Sequence, residues 1–312
     1  MGESSKHSAR AAAASPQGYR LHAEFREPPA QFEGCFTTFY HLTLEMDDPD
    51  ARVTDYLQPE WANIRFFCGD GPVAEIGAIR ISGAPFVASG PSALPCRFTL
   101  GPVRMWGAGF LPLGWARFMP SDARSCANMI CDGTVHPTFQ HFAGLGDVLC
   151  NPQIGMDEQF EAIVTAMTQA MRPTRDDARI RRVHGELVNG EHQSVRDLAD
   201  ACAMSIRTLE RVAMKYFGFS PKLLMRRQRF MRSLTTFMLQ RGSRWTEAMD
   251  EHYHDQAQFT REFHEFMTMN PTEYAALDHP ILTSFMEARA QVWGSPAQTL
   301  DGPPPLPSSW PH

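Results

Sequence analysis

The chain lacks most of the features that would commit it early to a class. No apolar run approaches the roughly 18 residues needed to cross a bilayer, and the first 18 residues, rich in Ser and Ala, hold no apolar signal core. Lys6 stands where an N-myristoylation signal needs Ser or Thr. A cytoplasmic chain with no membrane partner is therefore expected. The seven cysteines, at 35, 68, 96, 126, 131, 150 and 202, form no CxxC pair and no His-flanked cluster, so they read as reduced, mostly buried thiols. His22, His41, His136 and His141 stand in no metal-binding or general-base spacing, so no metal, no cofactor and no catalysis are expected. A large charge excess is missing too: 29 Lys+Arg against 35 Asp+Glu leave a net −6, which taken whole argues against nucleic acid.

What is present is a 312-residue chain with 43% hydrophobic and 21% charged residues, enough for two globular domains. Residues 35–44, 63–68, 78–81, 96–100 and 103–106 are short β-branched and aromatic runs, separated by turn signals such as Asp47-Asp48-Pro49-Asp50. Alternation is clearest from Phe36 to Leu44, which predicts a β-rich sandwich or barrel. From Met156 to Met171 the apolar spacing turns helical, and residues 174–278 read as almost wholly helical. The fold class expected is α+β, a β-rich N-terminal domain with a helical annex followed by an all-α domain. The segments expected are a disordered 1–18, a β-rich regulatory or dimerisation domain over 19–150, a helical linker over 151–183, a helical domain over 184–280 and a tail over 281–312. The Pro-rich end of that tail, from Ser295, is expected to be disordered.

The helical region carries the functional pattern. A first helix from Val195 places Leu198 and Ala199 against a second helix capped by Ser205, with Leu209 and Val212 on its inner face and Gly218 closing it. Arg207, Thr208 and Arg211 are left pointing outward, the arrangement with which a recognition helix reads base edges in a major groove. Pro221 opens a long helix, residues 222–240, whose Arg226, Arg227, Arg229 and Arg232 suit either phosphate or solvent. A second unit follows: a short helix from Trp245, a turn at His252-Tyr253-His254, and a helix over residues 256–267 capped by Asp255. Phe259, Phe263 and Phe266 form its apolar stripe and leave Gln256, Ala257, Thr260 and Arg261 outside.

These segments resemble the AraC/XylS family of transcriptional regulators. The matching residues are Ser194-Val195-Arg196-Asp197-Leu198-Ala199, Ser205-Ile206-Arg207-Thr208-Leu209, Phe217-Gly218-Phe219-Ser220-Pro221, Gln256-Ala257-Gln258-Phe259-Thr260-Arg261-Glu262-Phe263 and Asn270-Pro271-Thr272-Glu273-Tyr274. The resemblance covers about the last third of the chain. It implies two helix-turn-helix units joined by a linker helix, with recognition helices at about 205–217 and 255–267 in successive major grooves of double-stranded DNA. It places base contacts at Arg207, Arg211, Gln256, Ala257 and Arg261, to which the outward helix faces add Thr208 and Thr260; Ser205, Lys215, Lys222 and Arg226 are the candidate phosphate contacts. The run from Gly107 to Phe118 is similar to an uncharacterised N-terminal domain of some such regulators, which implies a small-molecule effector or a homodimer, with RNA polymerase as partner for an activator. The sequence departs from the family's usual Gly at Ala203, His252 and Thr268. Two other readings stay open: a ligand-binding or enzymatic β-domain with a partner-binding helical half, and an interaction module whose arginine face meets an acidic partner.

The net charge hides opposite regions. Residues 172–244 hold 16 basic and 7 acidic side chains, whereas residues 245–278 hold one basic, Arg261, and eight acidic. An acidic second unit would be repelled by phosphate unless its carboxylates face away, so the first unit is expected to supply most of the affinity.

Overall fold

A computed structural model describes residues 8–15, 18–190, 192–240, 244–293, 295 and 297–303. Eleven strands among these residues form two antiparallel sheets. The larger runs in the order β1 (Ser8–Ser15), β2 (Tyr19–Arg26), β3 (Phe36–Met46), β10 (Val103–Phe110), β5 (Ala62–Cys68), β8 (Phe86–Ser89) and β11 (Ile130–Asp132). The smaller runs β4 (Val53–Leu57), β9 (Cys96–Leu100), β6 (Val73–Ile76) and β7 (Ile79–Ser82).

The sheets face one another as a sandwich, with Leu42, Leu44, Phe67 and Met105 of the larger meeting Ala74, Ile76, Phe98 and Leu100 of the smaller. Successive side chains of a strand point to opposite faces, so Phe66 and Trp106, next to Phe67 and Met105, lie on the other side of the larger sheet. That side is covered by helices, and its core runs without a break through Trp61 and Phe217 into the helical region. Burial on both faces explains why β5 and β10 are buried along almost their whole length, whereas β2, β6 and β9 alternate.

The helices are α1 (Pro112–Phe118), α2 (Leu145–Leu149), α3 (Met156–Ala170), α4 (Asp177–Asn189), α5 (Val195–Ala201), α6 (Ile206–Val212), α7 (Pro221–Leu239), α8 (Trp245–Ala248), α9 (Gln256–Met267), α10 (Pro271–Ala275) and α11 (Leu282–Trp293). A π-helical turn, Ala213–Phe217, prolongs α6. Among the described residues no helix is long and apolar enough to cross a membrane, and no group of three His, Cys, Asp or Glu could hold a metal ion.

Three expectations are corrected. Residues 8–15, expected to be disordered, pair with β2 from Ser8↔Arg26 to Ser15↔Tyr19, the sheet ladder overriding a local Ala-rich preference for helix. The segment from 281, expected to be a tail, forms α11 and a 3-10 turn at Gln298–Leu300, with Gln298 and Thr299 buried; residues 304–312, which carry most of its prolines, lie outside the described residues. Cys68 and Cys150, expected to be free thiols, are joined in a disulfide, because the end of β5 and the end of α2 bring their Cα atoms to 5.0 Å. Cys35, Cys96, Cys126 and Cys202 are free and buried, and Cys131 is free and half-buried.

Candidate nucleic-acid interface

Local chemistry fixes each helix start in the C-terminal region. Ser194 and Asp197 form a reciprocal capping box on α5, and Ser205 Oγ accepts the backbone N–H of Thr208 to start α6. Between them the chain reverses at Ala203, whose φ is +53°. Leu198, Ala199, Leu209 and Val212 are fully buried, so α5 and α6 pack as a pair. Gly218, at φ +86°, closes the π-helical turn, and a Cβ there would come within 2.6 Å of Pro91 Cγ. This glycine thus ends the helix and admits the β-domain's loop at once.

Ser220 caps α7 with Pro221 in its first turn. Asp255 caps α9 by accepting the backbone N–H of Gln258 at 2.6 Å. Phe259, Phe263 and Phe266 are buried, and Trp245 of α8 lies over Phe263 and stacks on Phe237 of α7. The chain leaves α9 through Thr268 at φ +57°, whereas His252 has no left-handed backbone. Of the three departures from glycine, two therefore carry left-handed strain, and the turn at His252 is built differently, its ring held 2.9 Å from Asp250.

The two helix pairs present the candidate base-reading residues outward. Arg207 and Arg211 on α6 are exposed, as are Gln256, Ala257 and Arg261 on α9; Thr208 and Thr260 are half-exposed. The Thr208 hydroxyl bonds Ser205 Oγ, and that of Thr260 donates to the carbonyl of Gln256. Arg211 reaches Asp176 at 3.5 Å yet stays half exposed. Asp176 also accepts from Tyr216 and Arg179; burial opposes its ionisation, but these donors win and hold its carboxyl below the usual range. Arg207, Arg211 and Lys215 share a shallow concavity with Arg124 and Asp122 of the β-domain. Arg124 carries no local signal in the sequence, because nothing near it says that the loop at 122–126 lies against this helix.

The arginines of α7 are engaged by partners within the chain. Arg226, expected at phosphate, donates to Glu262 at 2.9 Å and to both carboxylate oxygens of Glu265. Arg229 donates to Glu262 at 2.6 Å and lies over the Tyr253 ring, and Arg232 pairs with Asp250 at 2.6 Å. Arg227 is fully buried, its Nη1 on the carbonyl of Ser92 and its guanidinium 3.9 Å above Trp61. Burial pushes Arg227 down to about 9, which leaves it cationic at neutral pH. Lys222 remains exposed, and Lys215 is half-buried beside Tyr216.

Six of the eight acidic residues in 245–278 are thereby accounted for. Glu262, Glu265 and Asp250 face the arginines of α7, while Glu247, Asp255 and Glu273 serve as helix caps. A deep groove separates the two helix pairs, with Lys222, Arg226, Arg229 and Arg232 on one wall and His252, His254 and Gln258 on another. Glu262 was legible as an anomaly: with Phe259 and Phe263 it sits on the buried side of α9, where a carboxylate requires a cation.

No protein-family model and no curated protein sequence matches this chain. Among solved structures, ToxT from Vibrio cholerae is similar at 12% identity over 72% of this chain and 95% of that one, with a TM-score of 0.40. The AraC-like transcriptional activator CuxR is similar at 10% identity over 71% and 83%, with a TM-score of 0.31. ToxT bound to an unsaturated fatty acid is similar at 12% identity over 74% and 97%, with a TM-score of 0.38.

Proposed function

We propose that this chain is a sequence-specific regulator of transcription that reads double-stranded DNA with two helix-turn-helix units. The observation that supports it best is that α6 and α9, each capped and buried along one stripe, both turn outward the side chains the sequence pattern assigns to base contact. The helix joining the units, α7, has 19 residues and spans roughly 28 Å, close to one ~34 Å turn of B-DNA. Arg207, Thr208 and Arg211 read one major-groove segment, and Gln256, Ala257, Thr260 and Arg261 read the next. Ser205, Lys215 and Lys222 hold phosphate, while Arg226 serves to fasten α9 to α7. The units divide the chain at about residue 184, and the β-domain modulates them through an effector or through dimerisation, with RNA polymerase as partner where the regulator activates. No catalytic step is assigned.

Selection of bound fragments from random DNA tests this directly, because the number and spacing of the recovered half-sites report both units. Recovery of a reproducible motif that the Arg207→Ala, Arg211→Ala double variant no longer selects is the expected result. Unchanged selection by that variant overturns the assignment.

A further inference from the structure

A turn of the β-domain is built against the end of α6. It is the 3-10 turn Ala123–Cys126, in which Ala123 and Cys126 are buried. Its entry is held by Trp115, whose Nε1–H donates to the carbonyl of Ser121 at 2.8 Å, and by Ser125, whose hydroxyl donates to the carbonyl of Asp122 at 2.7 Å. A Cβ on Gly218, which closes the π-helical extension of α6, would lie 3.4 Å from the carbonyl oxygen of Ala123. The backbone of Arg124 is therefore fixed beside α6 while its side chain is 62% exposed, and among the described residues its one ion pair is with Asp122 at 3.9 Å. An arginine so weakly engaged keeps its charge available to a partner from outside.

Arg124, Arg207, Arg211 and Lys215 line one concavity, whose acidic residues are Asp122 and Glu210. Four cations drawn together repel one another unless anions lie among them. Asp122 and Glu210 balance two of them, and Asp176, at 3.5 Å from Arg211, is shared with Arg179. A recognition helix offers its N-terminal residues to base edges, so its other end stands at the rim of the groove, where the phosphates run. Lys215 belongs to that end of α6, and Arg124 shares the concavity with it. On the reading of α6 as a recognition helix, we infer that Arg124 of the β-domain holds a DNA phosphate at the rim of the first major-groove segment. The DNA-binding surface is then composite, and it is complete only while the β-domain turn stays seated on α6.

The test uses the full chain and a duplex recovered by selection from random DNA. Arg124→Ala is expected to lower the slope of log K against log salt by about 0.9, so that its deficit against the unaltered chain shrinks roughly three-fold between about 50 and 200 mM salt. Arg124→Lys, which keeps the charge, is expected to keep the slope. Asp122→Asn removes a carboxylate that makes no side-chain cap and repels phosphate, and is expected to tighten binding about two-fold, a gain that misfolding cannot produce. Arg80→Ala, which removes an exposed arginine of the smaller sheet, is the control for charge alone and is expected to leave the slope unchanged. A methylphosphonate placed in turn at each phosphate flanking the first half-site locates the contact: one position should weaken the unaltered chain and leave Arg124→Ala indifferent. An unchanged slope for Arg124→Ala overturns the contact, and tighter binding by that variant overturns it by making the turn an obstruction to DNA. An equal fall for Arg80→Ala overturns it in favour of the overall field. If no duplex is selected, the reading of α6 fails and the contact with it. If a duplex is selected and the Arg207→Ala, Arg211→Ala variant loses it while Arg124→Ala binds like the unaltered chain, the contact alone fails.

Discussion

Asp55 caps a helix that begins 227 residues later in the chain, its Oδ2 accepting the backbone N–H of Leu282 at 2.8 Å. The same oxygen takes the N–H of Ile281, and Oδ1 lies 3.1 Å from Nδ1 of His279. With Asp55 1% and His279 5% exposed, these contacts are shielded from water and their loss leaves several polar groups stranded. Asp55→Ala should therefore destabilise the fold by about 3–5 kcal/mol, and Asp55→Asn, which keeps one acceptor, by less. Urea unfolding measures both; a cost under about 1 kcal/mol for the alanine variant would show that the cap carries little.

If the first unit does most of the holding, Arg211→Ala should weaken binding to a selected site more than Arg261→Ala. A bidentate arginine–guanine contact contributes about 1–3 kcal/mol, so the loss at Arg211 should lie between roughly five-fold and a hundred-fold. Fluorescence anisotropy at fixed salt ranks the two, and the reverse order refutes the division.

Lys222 and Arg226 should separate by salt dependence. Lys222 is exposed, so Lys222→Ala should lower the slope of log K against log salt by about 0.9 for one lost phosphate contact. Arg226 is engaged by Glu262 and Glu265, so Arg226→Ala should leave that slope alone and cost about 1–2 kcal/mol of stability instead. A slope change for Arg226→Ala would mean that its ion pairs open on DNA.

Glycine substitutions should rank by backbone. Ala203→Gly and Thr268→Gly relieve left-handed strain and should each stabilise by about 0.5–1 kcal/mol. His252→Gly relieves none and removes the contact with Asp250, so it should destabilise. Thermal unfolding of the three variants checks the order.

Acid should weaken the fold well before carboxylates titrate. Burial first, then the nearby Arg227 cation, lower His184 to about 3, whereas an unfolded imidazole takes its proton near pH 6.5. Between those values the unfolded chain binds the extra proton, so stability is full above about pH 6.5 and falls as pH drops, by up to about 1.4 kcal/mol per unit. His184→Asn should flatten the profile between pH 6 and 4 by roughly that slope. An unaltered profile would place the proton uptake elsewhere.

What was legible in the sequence followed from local rules. Ser205, Asp255, Pro221 and Gly218 announce helix ends by their own chemistry, and α9 begins and ends where its cap and apolar stripe set it. The strands β6 and β8, four residues each, are too short for periodicity to register. The roles of Arg226, Arg229 and Arg232 were undecidable because their carboxylate partners lie on other elements, 18 to 39 residues along the chain. Cys68 and Cys150, 82 residues apart, carry no spacing signal that would pair them. Neither does any local feature of residues 282–293 say that they return to the sandwich.

That return also sets an order of events at the ribosome. The sandwich lacks its closing helix, and Asp55 lacks its partners, until the chain has been made to residue 282 and beyond. At about 5–20 residues per second, the 18 residues from the end of α10 to the end of α11 take roughly one to four seconds to make, so the helical units precede the helix that Asp55 caps. Each newly made molecule therefore passes through a stage in which Asp55 is buried without the backbone it caps, and a chain ended just after α10 would remain there.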